Sequence, residues 1–177
     1  MSDPIIGWLR RHDPDWYALH KAVKVAVVVT IGVAIGSYLG NGQLTLFASF
    51  GGVALLLFAD FPGGRSARLG AYIGLVMVGA VLICLGTLAS NTPWLAVAGM
   101  AVAGFVILFA GVLSAAAAGA TRAALLTFIL PVTVPGTSTD MMFRLGGWFL
   151  AAAMAVPVAI LVWPPADHQK LRRRPRH

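Results

Sequence analysis

Six apolar runs dominate this chain, at residues 22–39, 44–59, 69–89, 94–113, 115–134 and 141–162. A helix needs about 20 mostly apolar residues, rising about 1.5 Å each, to cross the hydrocarbon core of a bilayer. Each run is near that length. Hydrocarbon offers no partner for a bare peptide group, so runs this long and apolar are read as helices that close their own hydrogen bonds. The separators are short and rich in turn formers: "GNGQ" at 40–43, "DFPGGRSAR" at 60–68, "SNTP" at 90–93 and "PGTSTD" at 135–140. Only the fourth and fifth runs lack a clear separator, because "SAAAAGATR" can end one helix or begin the next. Charged residues make up 11% of the chain, against about 25% in a soluble domain. The expected fold is an all-α integral membrane protein with six transmembrane helices over residues 22–163. An interfacial segment, 1–21, precedes them, and a basic tail, 164–177, follows.

The cations set the expected orientation. With the N-terminus in the cytoplasm, every Lys and Arg except Arg144 falls on the cytoplasmic side. The positive-inside rule therefore predicts both termini in the cytoplasm of a bacterial inner membrane. The net charge of +7 is spread around one membrane face, so the bilayer and not nucleic acid is the expected partner. "PIIGWLRR" at 4–11 suits a headgroup-level anchor, and "DPDW" at 13–16 reads as a helix start capped by Asp13 with Pro14 in the first turn.

A short phrase occurs twice: "RLGAYIG" at 68–74 and "RLGGWFL" at 144–150. Each copy opens the third helix of a set of three, after a Pro-Gly turn. Three helices per repeat invert the second copy in the membrane, the 3+3 inverted-repeat plan of many secondary transporters. That plan directs attention to interrupted helices at matching positions, here Gly51 and Gly52 in the second and Pro131 in the fifth. The glycine ladders Gly32, Gly36, Gly40 and Gly70, Gly74 are read as close helix packing.

Several residues are candidates for handling an anion. Arg65, Arg68 and Arg144 are cations at helix ends, where they either attract an organic anion or snorkel to the headgroups. Phe47 and Phe50 lie on a phenylalanine stripe with Phe58 and Phe61, offering either stacking surface for a flat ligand or contact with lipid. Asp60 and Asp140 are the candidates for proton coupling, Asp140 also standing four residues before Arg144 as its nearest ion-pair partner. The lone Cys84 excludes an internal disulfide, and His12, His20, His168 and His177 lack metal-ligand spacing. No nucleophile elbow, zinc motif or phosphate-binding loop occurs, so neither catalysis nor a cofactor is expected.

"LFASFGGVALLLFADFPGGRSARLGAYIGLVMVGAVLICLGTLAS" and "LTFILPVTVPGTSTDMMFRLGGWFLAAAMAVPVAILVWP" together resemble the membrane domain of the fusaric-acid-resistance, or aromatic-acid-exporter, family. The likeness runs over residues 16–165 and lies in the order of "FADF", the arginine pair before the third helix, and the closing "RLGGW…WP". It implies a secondary transporter that exports small aromatic carboxylic acids, driven by protons, with Asp60, Arg65, Arg68 and Arg144 as its charged positions. More distant relatives of that family, the plant aluminium-activated malate proteins, are dimeric anion channels with six spans per subunit, which keeps a passive channel as the alternative. A scaffold or accessory half-subunit is a third. Fuller members continue past the "WP", so this chain is expected either to complete itself as a homodimer or larger oligomer, or to be a piece of a longer protein.

Overall fold

A computed structural model describes residues 17–59, 61 and 63–161, and among them all regular structure is helical. Helix α1 spans Tyr17–Tyr38, α2 Gly42–Val53, α3 Arg65–Ala89, α4 Pro93–Leu113, α5 Ala115–Thr133 and α6 Ser138–Leu161. Five of them are long and apolar enough to cross a membrane. The shorter α2 loosens at Val53 into a π-helical turn, Ala54–Phe58, closed by the Ala59 amide donating to the Ala54 carbonyl. The chain is a multi-pass helical membrane protein.

The helix boundaries have local causes. Asn41 caps α2 by accepting from the Leu44 amide, Pro93 occupies the first turn of α4, and Ser114 accepts from the Ala117 amide. Ser114 alone, in extended conformation, separates α4 from α5. One residue therefore resolves the boundary that the alanine-rich sequence left open. Gly40 and Gly63 turn the chain at φ +66° and +110°, where a Cβ would be strained.

Helix α2 packs on α1 and α6, and α5 packs on α4 and α3, while α3 and α6 cross in the middle and α5 meets the π turn. Helix α4 has no buried residue, and its exposed Val97, Phe105, Val106 and Val112 suit contact with acyl chains. Apolar burial drives little between helices in lipid, so close backbone approach and dispersion must hold the bundle. The centre illustrates this. Trp148 is 1% exposed and donates from Nε1 to the Val76 carbonyl at 2.9 Å. Its ring occupies a slot where a Cβ on Gly79 would strike it and a Cβ on Gly51 would come within 2.7 Å of Ala151.

Two rungs of the first ladder work as expected: a Cβ on Gly36 would lie 2.6 Å from the Thr45 Cα, and one on Gly32 3.3 Å from the Ala48 Cβ, whereas Gly40 lies in the turn after α1 and a Cβ there would meet nothing within 4 Å. The second ladder differs, since a Cβ on Gly70 or Gly74 meets nothing within 4 Å. Nor do Gly51 and Gly52 interrupt α2. The helix runs through them, because each admits a neighbour, Ala151 and Trp148 on one side and Val28 and Val29 on the other, and it changes form only afterwards. Pro131 likewise lies inside α5, which continues to Thr133. The anchor at 4–11, the Asp13–Pro14 cap and the basic tail lie outside the described residues.

Candidate functional site

The third and sixth helices run antiparallel, as two contacts establish. Arg68, in the first turn of α3, donates from Nη2 to the carbonyl of Ala159 near the end of α6 at 3.2 Å. Arg144, early in α6, donates from Nη1 to Thr87 Oγ1 near the end of α3 at 3.0 Å. The two guanidiniums therefore sit at opposite ends of the bundle, each tied to the far end of the other's helix. Four residues after each stands a buried aromatic ring, Tyr72 at 3% exposure and Trp148 at 1%.

Arg144 is wholly buried. A guanidinium has five N–H donors, and five contacts receive them. Nε donates to Gln43 Oε1 at 3.1 Å, and Nη1 to Thr87 Oγ1 and to the Pro131 carbonyl at 3.3 Å. Nη2 donates to the carbonyls of Val134 at 2.8 Å and Pro135 at 3.2 Å. These carbonyls belong to the end of α5 and the turn after it, where a helix leaves its last C=O groups unpaired. Phe47 lies beneath, its ring centre 5.3 Å from Cζ. The turn can lie on the guanidinium because residue 136 is glycine: a Cβ there would overlap Nη2. One side chain thus joins α2, α3, α5 and α6.

Asp140 is not part of that cluster. Its carboxylate accepts from the Thr137 amide and hydroxyl, both at 2.8 Å, and its own amide donates to Thr137 Oγ1 at 3.3 Å. This is a capping box at the start of α6. The pattern Thr-x-x-Asp was legible in "TSTD"; the ion pair expected from the four-residue spacing to Arg144 is replaced by this cap.

The other end is looser. Arg65 is exposed and Arg68 half-buried. The Arg68 Nε is shielded from solvent yet has no hydrogen-bond partner. Lys24 of α1 is close enough to feel the Arg68 charge, so three cations gather there. Asp60, the expected proton carrier, lies outside the described residues.

The phenylalanine stripe splits: Phe47 is buried under Arg144, whereas Phe50 is 43% exposed. Both line a crevice where α2, α3, α5 and α6 meet, with Gly51, Ile83, Thr127 and Trp148. Its free volume is about 10 Å³ with no polar wall, at the limit of what one water occupies. Among the described residues no cluster of His, Cys or acidic side chains is arranged to hold a metal ion.

No family model and no solved structure matches the chain. It is 30% identical over 139 residues, 78% of its length, to an uncharacterized protein of Synechocystis sp., of which it spans 18%. It is 28% identical over 162 residues, 90% of its length, to the uncharacterized membrane protein YvaC of Bacillus subtilis, of which it spans 25%. The chain thus covers a quarter or less of these curated relatives, and like YvaC it is a membrane protein.

Proposed function

We propose that this chain is the membrane half of a proton-coupled secondary transporter that exports small organic anions, of the type the fusaric-acid-resistance resemblance implies. The observation that carries this reading is the reciprocal pair of arginine contacts, Arg68 to Ala159 and Arg144 to Thr87. The pattern of helix pairing supports it further, because exchanging α1 with α4, α2 with α5 and α3 with α6 leaves the pairs described above unchanged. Both features belong to an inverted repeat of three helices, the plan on which rocking-bundle transporters are built.

In this reading the end bearing Arg65, Arg68 and Lys24 faces the cytoplasm with both termini and collects the anion. Arg68 is the recognising group, because its half-buried guanidinium gives one hydrogen bond to a protein acceptor among the described residues and keeps donors for a carboxylate. Arg144 holds the opposite end shut, its donors already engaged. Phe47 and Phe50 flank the path between, and Asp60 exchanges the proton. A dry crevice at the midplane suits a carrier caught closed rather than an open channel.

The test uses protein in proteoliposomes loaded with labelled 4-hydroxybenzoate. Efflux should rise with an imposed proton gradient and fall at least about tenfold in Arg68→Gln, the loss of one charge-assisted pair. Flux indifferent to the gradient and undiminished in Asp60→Asn indicates a passive anion channel. No flux, with Arg65→Ala and Arg68→Ala silent in cells, indicates a scaffold.

A further inference from the structure

The bonds of Arg144 are not alike. Nη1 points inward, to Thr87 Oγ1 and the Pro131 carbonyl, both of buried residues. Nε and Nη2 share the other edge of the guanidinium and donate to Gln43 Oε1 and to the carbonyls of Val134 and Pro135. Gln43 and Val134 are half-buried and Pro135 is exposed. These outer acceptors stand at the end of the bundle where α6 begins, so water can serve them once the guanidinium lets go.

Every one of these acceptors is neutral. A buried cation ordinarily has an opposite charge beside it, because neutral dipoles repay only part of its lost hydration. The nearest candidate, Asp140, is close enough for its charge to be felt but spends its carboxylate on the Thr137 amide and hydroxyl. Among the described residues no carboxylate bonds to Arg144. The Nε–Nη2 edge is the fork that a carboxylate grips bidentately, through bonds about twice as strong as those to neutral acceptors. The edge that fits an anion thus faces the surface, held by groups that an anion outcompetes.

We propose that Arg144 is a second anion site, at which a small carboxylate takes the Nε–Nη2 edge in place of Gln43 and the turn carbonyls while Nη1 keeps Thr87 and Pro131. The turn after α5 lies on the guanidinium at Gly136, where not even a Cβ fits, so the anion enters only as the turn lifts. Binding therefore unlatches the end that Arg144 holds shut. This deepens the transport reading and rests on it for the identity of the anion, but binding at Arg144 is measured without flux.

The experiment titrates the full chain, purified in detergent, with benzoate and with its neutral isostere benzamide, by calorimetry. An Arg68→Gln background removes the other anion site. Benzoate should bind once per chain and benzamide should not bind. Arg144→Met is expected to lose the fold, so the site is probed through its neighbour. Gln43→Leu deletes an acceptor that the anion must displace and should tighten benzoate about fivefold, the worth of one neutral hydrogen bond. Gln43→Glu puts a carboxylate on the fork and should weaken benzoate at least about tenfold. Asp140→Asn should leave binding in place. Spin labels at Tyr38→Cys and Val134→Cys, in a Cys84→Ser background, should move apart with benzoate and not with benzamide. Absence of saturable benzoate binding, equal binding of benzamide, equal affinity in the two Gln43 variants, or loss of binding in Asp140→Asn overturns the site. Binding with the label distance unchanged overturns the latch. Efflux that ignores the proton gradient while benzoate still binds here sinks the transport reading alone.

Discussion

The starts of α3 and α6 carry the same arginine-led phrase, yet the structure uses them differently. Arg144 is wholly buried with all five donors engaged, whereas Arg68 is half-buried, makes one hydrogen bond among the described residues and leaves its Nε unpartnered. The cap differs as well: Thr137 and Asp140 close the start of α6, while α3 begins at Gly64 with no side-chain cap. Even the small residues diverge. Gly147 lies against the backbone of α2, but the matching position in α3 is Ala71, on the wall of the apolar cleft between α3, α4 and α5. One copy of the phrase is built into the bundle, and the other is left with unspent bonding capacity. The two helix starts thus separate a guanidinium that holds the bundle from one with donors to spare.

The largest expected effect tests that separation directly. Arg144→Met removes the donors serving Gln43, Thr87 and three carbonyls, of which Thr87 and the Pro131 carbonyl are left to find a partner inside the bundle. Leaving one buried group unsatisfied costs about 1–3 kcal/mol, so the variant should lose at least about 3 kcal/mol and most of its folded yield. Arg144→Lys should rescue little, because an ammonium has three donors in place of a planar fork of five. Arg68→Met should unfold within about 1 kcal/mol of the parent, having one bond to lose. Thermal or denaturant unfolding in detergent measures all three. Equal losses at the two positions would erase the contrast.

Next come the glycines. Gly147→Ala puts a Cβ 2.5 Å from the Leu44 carbonyl and 2.9 Å from the Ala48 amide, and backbone cannot step aside cheaply. A loss of about 1–3 kcal/mol is expected, as for other overpacked sites. Gly79→Ala should behave similarly against the Trp148 ring. Gly70→Ala, by contrast, meets nothing, and should be neutral or gain up to about 1 kcal/mol from helix propensity. Thr87→Val falls between, since it deprives Arg144 Nη1 of one acceptor while leaving the Pro131 carbonyl, for a loss of about 1–2 kcal/mol.

How far the sequence disclosed this arrangement depends on which physical rule was in control. The six helices and nearly all their limits were legible, because hydrocarbon leaves the backbone no alternative to helix. Asn41 and Pro93 fall in the turn-forming separators and were legible as boundaries, whereas Ser114, before a run of alanines that suits either helix, was not. The partners of Arg144 were not. Gln43 lies 101 residues away and Thr87 57 residues away, and no local pattern announces a meeting across the bundle. Polar side chains at the edges of apolar runs were the available hint. The slot for Trp148 was hidden likewise, because Gly51 and Gly79 read as a helix interruption and an unremarked small residue until the ring between them is seen. Asp140 was misdirected by a spacing rule: four residues places it on the Arg144 face, but the nearer Thr137 amide and hydroxyl capture it first.

The smallest expected effects concern those caps, and they bear on what Asp140 is for. If Asp140 serves α6 by closing its first turn, then Asp140→Asn retains an acceptor for the Thr137 amide and should shift the unfolding midpoint less than Asp140→Ala, which retains none. Neither change should alter how efflux depends on an imposed proton gradient once flux is normalised to folded protein. A carboxylate that carried the proton would behave in the opposite manner, since asparagine preserves the cap but cannot titrate. On the other helix, Gly64→Ser supplies the side-chain cap that α3 lacks, and a gain of a few tenths of a kcal/mol is expected. The two substitutions make the helix starts more alike. If the asymmetry that matters lies in the guanidiniums, evening out the caps in this way should leave anion flux where it was, and the difference between Arg68 and Arg144 should persist in the Gly64→Ser background.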